Sequence, residues 1–168
     1  MGHSMMRKET GFSLIELLIV VAIILIIAAI AIPNLMRARI AANESASVSQ
    51  LRTLNSAEAS YVTAYPTTGY GTLDHLGGAA PCTPSATTAC LIDQSFASNY
   101  AGKGKNGYSF AVALPNAAQY VASTTPLTVG VTGVNSYCST EDAVVRQDPS
   151  GALNTTEAAC GALASVSN

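Results

Sequence analysis

Charge is scarce in this chain. Its 168 residues carry 8 basic and 10 acidic side chains, 11% of the total, for a formal net of −2. A protein that grips nucleic acid needs a basic face, and this balance excludes one at the level of the whole chain, so nucleic acid is not an expected partner. Only two histidines are present, and His75 alone lies beyond the first ten residues. The sequence also lacks a glycine loop spaced to cradle phosphate and a cysteine spacing suited to a metal. It shows no internal repeat. Catalysis therefore finds little to work with, and no catalytic residue, metal or cofactor is assigned.

Where charge is scarcest, the sequence is most informative. Between Gly11 and Ala31 the single charge is Glu16, at the head of an apolar run over residues 17–32. A carboxylate in a bilayer helix costs about 2.5 to 3.5 kcal/mol at the centre, so its placement needs a reason. It can reach the interface and the positive end of the helix dipole, or it can wait for a cation on another chain. Residues 12–32, as a helix rising 1.5 Å per residue, would span about 30 Å, the hydrocarbon thickness of a bilayer.

Arg7 and Lys8 precede this stretch and Arg37 and Arg39 follow it, so basic residues alone do not set its orientation. The cysteines do more. Cys82, Cys90, Cys138 and Cys160 all lie beyond it, and an even number in a small domain indicates disulfides and an oxidising compartment. The C-terminal part is therefore expected outside the cytoplasm. A secretory signal peptide cleaved after Ala29-Ile30-Ala31 is the rival reading. Against it, the apolar run exceeds the usual length and contains Glu16, and helical periodicity continues into the next thirty residues.

The string Gly11-Phe12-Ser13-Leu14-Ile15-Glu16-Leu17-Leu18-Ile19-Val20-Val21-Ala22-Ile23-Ile24, followed by Ala28-Ala29-Ile30-Ala31-Ile32-Pro33, resembles the prepilin signature of bacterial type IV pilins and type II secretion pseudopilins. The likeness covers roughly residues 7–65. It implies a leader over residues 1–11, cut by a membrane prepilin peptidase between Gly11 and Phe12, with methylation of the new amine. It further implies that the Phe12 amine of a neighbouring subunit pairs with Glu16 during assembly. Removing Arg7, Lys8 and Glu9 with the leader leaves 6 basic and 9 acidic residues, a net of −3 before the new amine is counted.

Pro33 is read alone as a helix boundary, since an internal proline costs about 3 kcal/mol. The resemblance instead implies local unwinding before Pro33 in an assembled pilus. Leu25 stands where glycine is common in the family, and leucine favours helix by about 1 kcal/mol over glycine, which restricts that melting. Beyond Pro33, Val48, Leu51, Leu54, Tyr61, Val62 and Tyr65 recur near helical spacing among the polar Asn43, Glu44, Ser47, Gln50, Arg52 and Asn55. Pro66 forces Tyr65 out of helical geometry and ends the pattern.

The expected fold is α+β: a long N-terminal helix, hydrophobic over 12–33 and amphipathic over 34–65, packed against a small antiparallel sheet of three to four strands in a head over 66–168. Residues 70–107 read as a long loop with a short helix over 91–100. Asn106-Gly107 signals a turn into a strand over 108–114, Pro115-Asn116 turns the chain into 119–123, and 127–131, 134–138 and 143–146 are further strand candidates. Four cysteines allow three pairings; Cys82–Cys90 and Cys138–Cys160 are favoured because each closes a local loop, and family members commonly staple a C-terminal loop in the latter manner.

Minor signals are weaker. Lys103 and Lys105 sit between the aromatics Tyr100 and Tyr108, a short pattern read as a solvated loop rather than a stacking platform. Glu141, Asp142 and Asp148 are an acidic cluster without a recognised calcium loop, and Asn43-Glu44-Ser45 and Asn154-Thr155-Thr156 fit a glycosylation sequon.

The resemblance implies a structural subunit: a single-pass inner-membrane precursor with an extracytoplasmic head, handled by pilus or pseudopilus assembly machinery and polymerised with copies of itself into a helical filament. A type II secretion major pseudopilin and a membrane-anchored binding module that never polymerises are the alternatives. The leader reading predicts a mature chain that starts at Phe12, with the leader retained in Gly11→Val. Intact-mass measurement checks it, and cleavage after Ala31 would restore the signal peptide.

Overall fold

A computed structural model describes residues 11–98 and 104–166. Residues 1–10 of the expected leader, with Arg7 and Lys8, and Tyr100 and Lys103 of the aromatic-basic stretch lie outside the described residues. The chain divides into two units, Met1–Arg37 and Ala38–Asn168. One helix, α1 (Leu14–Ala64, 51 residues), contributes to both and contains Pro33 without interruption. Pro33 is thus not the helix boundary that proline suggests when read alone.

In the first unit the large apolar side chains of α1 are exposed, from Leu14 at 78% to Met36 at 52%. In the second unit α1 has a buried stripe. Steps of four and three residues from Ser47 to Leu51, Leu54, Glu58 and Tyr61 keep one face turned inward, with Asn55 and Ala57 beside it. On the opposite, wet side Thr53, Ser56, Ser60 and Thr63 return their hydroxyls to carbonyls four residues back. The helix stops at Ala64, before Pro66, and the Thr68 and Gly69 amides close onto the Tyr65 carbonyl. Gly69 has φ +80°, and a Cβ there would overlap the backbone of Ala117.

After α1 come the single-turn helices α2 (Leu73–Leu76) and α3 (Gln94–Ala97) and the strands β1 (Tyr108–Asn116), β2 (Gln119–Pro126), β3 (Ser136–Ser139) and β4 (Arg146–Asp148). A short helix α4 (Glu157–Gly161) and a two-residue strand β5 (Ala164–Ser165) are the last elements among the described residues. The sheet is antiparallel throughout, in the order β1-β2-β3-β4-β5. The architecture is therefore the expected α+β one, with five strands where three to four were read. The helix anticipated over 91–100 is confined, in its described part, to α3.

Asn106 and Gly107 both have positive φ, and Lys105 and Tyr108 exchange backbone hydrogen bonds across them, which makes this a type I′ turn. The strand expected over 127–131 is absent. Glycines break that alternation: Gly130 has φ +80°, and the segment folds on itself through Gly130 N–H to Gly133 O and Thr132 N–H to Thr128 O. Val129 and Val131, each 56% exposed, have no core to enter.

The central strands β2 and β3 are buried on both faces. One face sets Tyr108, Phe110, Tyr120, Ala122 and Tyr137 against Leu51, Leu54, Ala57 and Tyr61 of α1, with Leu73, Leu76 and Phe96 closing the cluster. Phe96 meets Phe110 edge-on with ring centres 4.9 Å apart, and Tyr70 packs on Tyr120 at 4.7 Å. Within this core Asn55 donates to the Ser139 hydroxyl and the Ala143 carbonyl and accepts from the Tyr120 hydroxyl, so a buried amide is satisfied on both ends.

The other face is smaller. It consists of Val121, Cys138 and Cys160, with Ala113 and Leu163 packed on them. Cys138 on β3 is bonded to Cys160 on α4 with Cα atoms 5.9 Å apart, and Cys82 is bonded to Cys90 at 6.1 Å. Because so few apolar groups hold α4 to the sheet, replacing both Cys138 and Cys160 by serine should cost about 2 to 4 kcal/mol. Denaturant unfolding of the full chain measures this; a loss below about 0.5 kcal/mol would show that the second cluster holds without its crosslink.

Candidate functional site

The first unit concentrates the features that carry chemistry. Gly11 and Phe12 precede α1, Phe12 is 89% exposed, and a Cβ at Gly11 would meet nothing within 4 Å. Ser13 begins the helix: its carbonyl accepts from the Leu17 amide at 3.2 Å, and its own amide donates to the Glu16 carboxylate at 2.9 Å. Serine followed three residues later by glutamate is the signature of a capping box, of which this bond is one half. Glu16 is thus both the lone charge of the apolar stretch and a cap for its own helix, close to the positive end of the helix dipole. The spacing Ser13-x-x-Glu16 was the signal for this second role.

Past Glu16, α1 is long and apolar enough to cross a membrane, and none of that stretch is buried. Such a surface is stable only in lipid or against other apolar chains.

In the second unit most of the titratable groups flagged by sequence have a partner, while Glu141 is exposed on the β3–β4 turn. Asp142 pairs with Arg146 and accepts from the Thr140 hydroxyl and the Val144 amide. The Arg146 hydrogen bond holds its carboxyl down at about 2. Asp148 accepts from the Ser150 amide and the Asn154 side chain, which lowers its pKa as well. The acidic cluster therefore organises its own turns, and among the described residues no group of three or more His, Cys, Asp or Glu side chains is placed to hold a metal. Lys105 pairs with Asp93 at 3.4 Å and lies 5.2 Å from the centre of the Phe96 ring. His75 stacks on Tyr61. Asn43 donates to the Thr132 carbonyl, and Thr156 caps α4, so both sequons are tied into the fold.

Two acidic residues on α1 matter more than the sequence indicated. Glu44 accepts from the amides of Val134 and Asn135 and from the Asn135 side chain, pinning residues 128–135 to the helix. Glu58, fully buried, accepts from the Gly71 amide at 3.0 Å. Glu44 stood among polar neighbours of the stripe and Glu58 lies in it, so their polarity concealed their inward roles.

Comparison with known proteins bears on the first unit. Residues 6–32 match the prokaryotic N-terminal methylation motif. The chain is pilin-like. It is 62% identical over 40 residues, 24% of its length, to the type IV wide pilus major component PilA4 of Thermus thermophilus. It is 38% identical over 69 residues, 39% of its length, to the type II secretion system core protein G of Vibrio cholerae. These alignments span 30% and 47% of the two relatives, so the pilin-like chain shares less than half the length of each. No solved structure matches it. Both relatives are by name components of assemblies, and an apolar N-terminal helix with this motif fits a membrane-anchored precursor of a surface or periplasmic filament.

Proposed function

We propose that this protein is the structural subunit of a type IV pilus, held in the inner membrane and then polymerised through its N-terminal helix. The observation that carries the reading is an apolar helical surface, exposed from Leu14 to Met36, that bears the methylation motif and one carboxylate in its first turn. Removal of the leader 1–11 by a prepilin peptidase creates an amine at Phe12. Residues 12–33 then form the filament core, 34–65 join it to the head, and 66–168 face outward.

Glu16 has two partners available to it. In the single chain its carboxylate accepts from the Ser13 amide. In the filament the Phe12 amine of a neighbour offers a charge-assisted bond in a medium that screens poorly, and this contact sets axial register. The same carboxylate has enough acceptor sites to retain the cap. Pro33 is where the helix gives way when subunits pack, its missing amide making the preceding turn the weakest in α1.

A type II secretion pseudopilin is the second reading, favoured by the likeness to core protein G. It differs in product: a short periplasmic pseudopilus rather than long surface filaments. Imaging of cells that express the chain separates the two.

Glu16→Gln tests the assembly contact. Removing one member of a buried ion pair costs about 3 to 5 kcal/mol, and a filament repeats that cost at every subunit. Cells carrying the variant should accumulate processed subunit in the membrane and display few or no filaments. Filament numbers equal to wild type would make the carboxylate a cap only.

A further inference from the structure

The carboxyl group of Glu58 is the one buried acid in the described head without a charged partner. It sits on the inward stripe of α1 with no exposed surface. One oxygen accepts from the Gly71 amide, and the other is buried with no hydrogen-bond partner. Gly71 belongs to the segment that follows α1 and packs tightly on Tyr61, since a Cβ at Gly71 would lie 3.2 Å from that ring. The same segment is tied to the β1–β2 turn through the Tyr70 amide and Ala117, and Tyr61 beside it donates its hydroxyl to the Ala86 carbonyl of the loop that follows. Glu58 is therefore the polar pin of this junction.

We propose that Glu58 is a pH-sensitive latch: in its neutral acid form it holds residues 65–77 against α1, and its ionisation loosens them.

The argument is one of desolvation. A neutral carboxyl is tolerated in this setting, with one accepted bond and one unpartnered oxygen, whereas a carboxylate would have a single amide to replace its hydration. The titratable groups around it offer little relief. Tyr61 on α1 and Tyr120 on β2 are the ones that feel its charge; Tyr65 on α1 acts on Tyr61, and Tyr70 of the following loop and Glu141 and Asp142 of the β3–β4 turn act on Tyr120. His75 of α2 stacks on Tyr61, and Arg146 of β4 is paired with Asp142. Burial accordingly pushes the Glu58 carboxyl up from 4.5 to about 7, opposed by the Gly71 hydrogen bond.

The sign follows from linkage. The closed segment binds the proton more tightly than the open one, so the closing free energy is fully present below about pH 4.5 and is lost as pH rises through about 7. Mild acid closes the latch and neutral or alkaline medium loosens it.

The test uses the full chain in detergent micelles. Carbon NMR follows the Glu58 carboxyl from pH 4 to 9, and hydrogen exchange, corrected for its intrinsic pH dependence, follows the Gly71 amide. The expected result is a Glu58 midpoint near 7 and a fall in Gly71 protection on the order of fifty- to a hundredfold between pH 5 and 8. In Glu58→Gln, whose amide keeps the acceptor without the charge, protection should be flat across that range. A Glu58 midpoint below 5, constant Gly71 protection in the wild type, or an equal fall in the variant would each overturn the latch. If the variant fails to fold, the two wild-type measurements decide alone.

Discussion

The uncovered apolar surface of the first unit is the constraint from which the rest follows. About 25 cal/mol per Å² of apolar area favours removing that surface from water, and nothing among the described residues removes it. Lipid can cover it, and so can identical helices from other copies. A chain that uses both in turn must be able to leave the first for the second. In the proposed filament the lone carboxylate at the helix start would allow that transfer, because it is tolerable near a membrane interface and becomes favourable beside an amine.

The second unit solves a different problem with the same helix. Between Ser47 and Tyr61 the stripe becomes narrow, and its polar members have specific partners: Asn55 meets Ser139, Ala143 and Tyr120, and Glu58 meets Gly71. These contacts fix which strands and which loop lie on the helix, a choice that Leu51 and Leu54 alone would leave loose. On the far face of the sheet, where Val121 has few apolar neighbours, the Cys138–Cys160 crosslink supplements a core too small to hold α4 by packing.

The long helix, its end before Pro66, the Asn106-Gly107 turn and the α+β layout were legible because each rests on a strong local rule: periodicity, proline geometry or positive φ. The head was less so. Residues 127–131 alternate like a strand but carry Gly130 and have no surface to cover, which only the tertiary structure reveals. The helices α2 and α4 and the strand β5 are too short to display a period. At the site, the apolar stretch and Glu16 stood out by composition, whereas the capping role of Glu16 needed the Ser13-x-x-Glu16 spacing to be noticed. Glu58 escaped attention because a carboxylate on a solvated helix ordinarily faces water, and its hydrogen-bond partner is an amide 13 residues away.

The account centres on the claim that residues 12–32 of many copies pack together. Electron cryo-microscopy of filaments assembled from this chain tests it most directly. The account predicts a core of these helices, with the Phe12 amine of one subunit within hydrogen-bond distance of the Glu16 carboxylate of the next. A filament whose core is built from heads, with residues 12–32 on its outer surface, would contradict it.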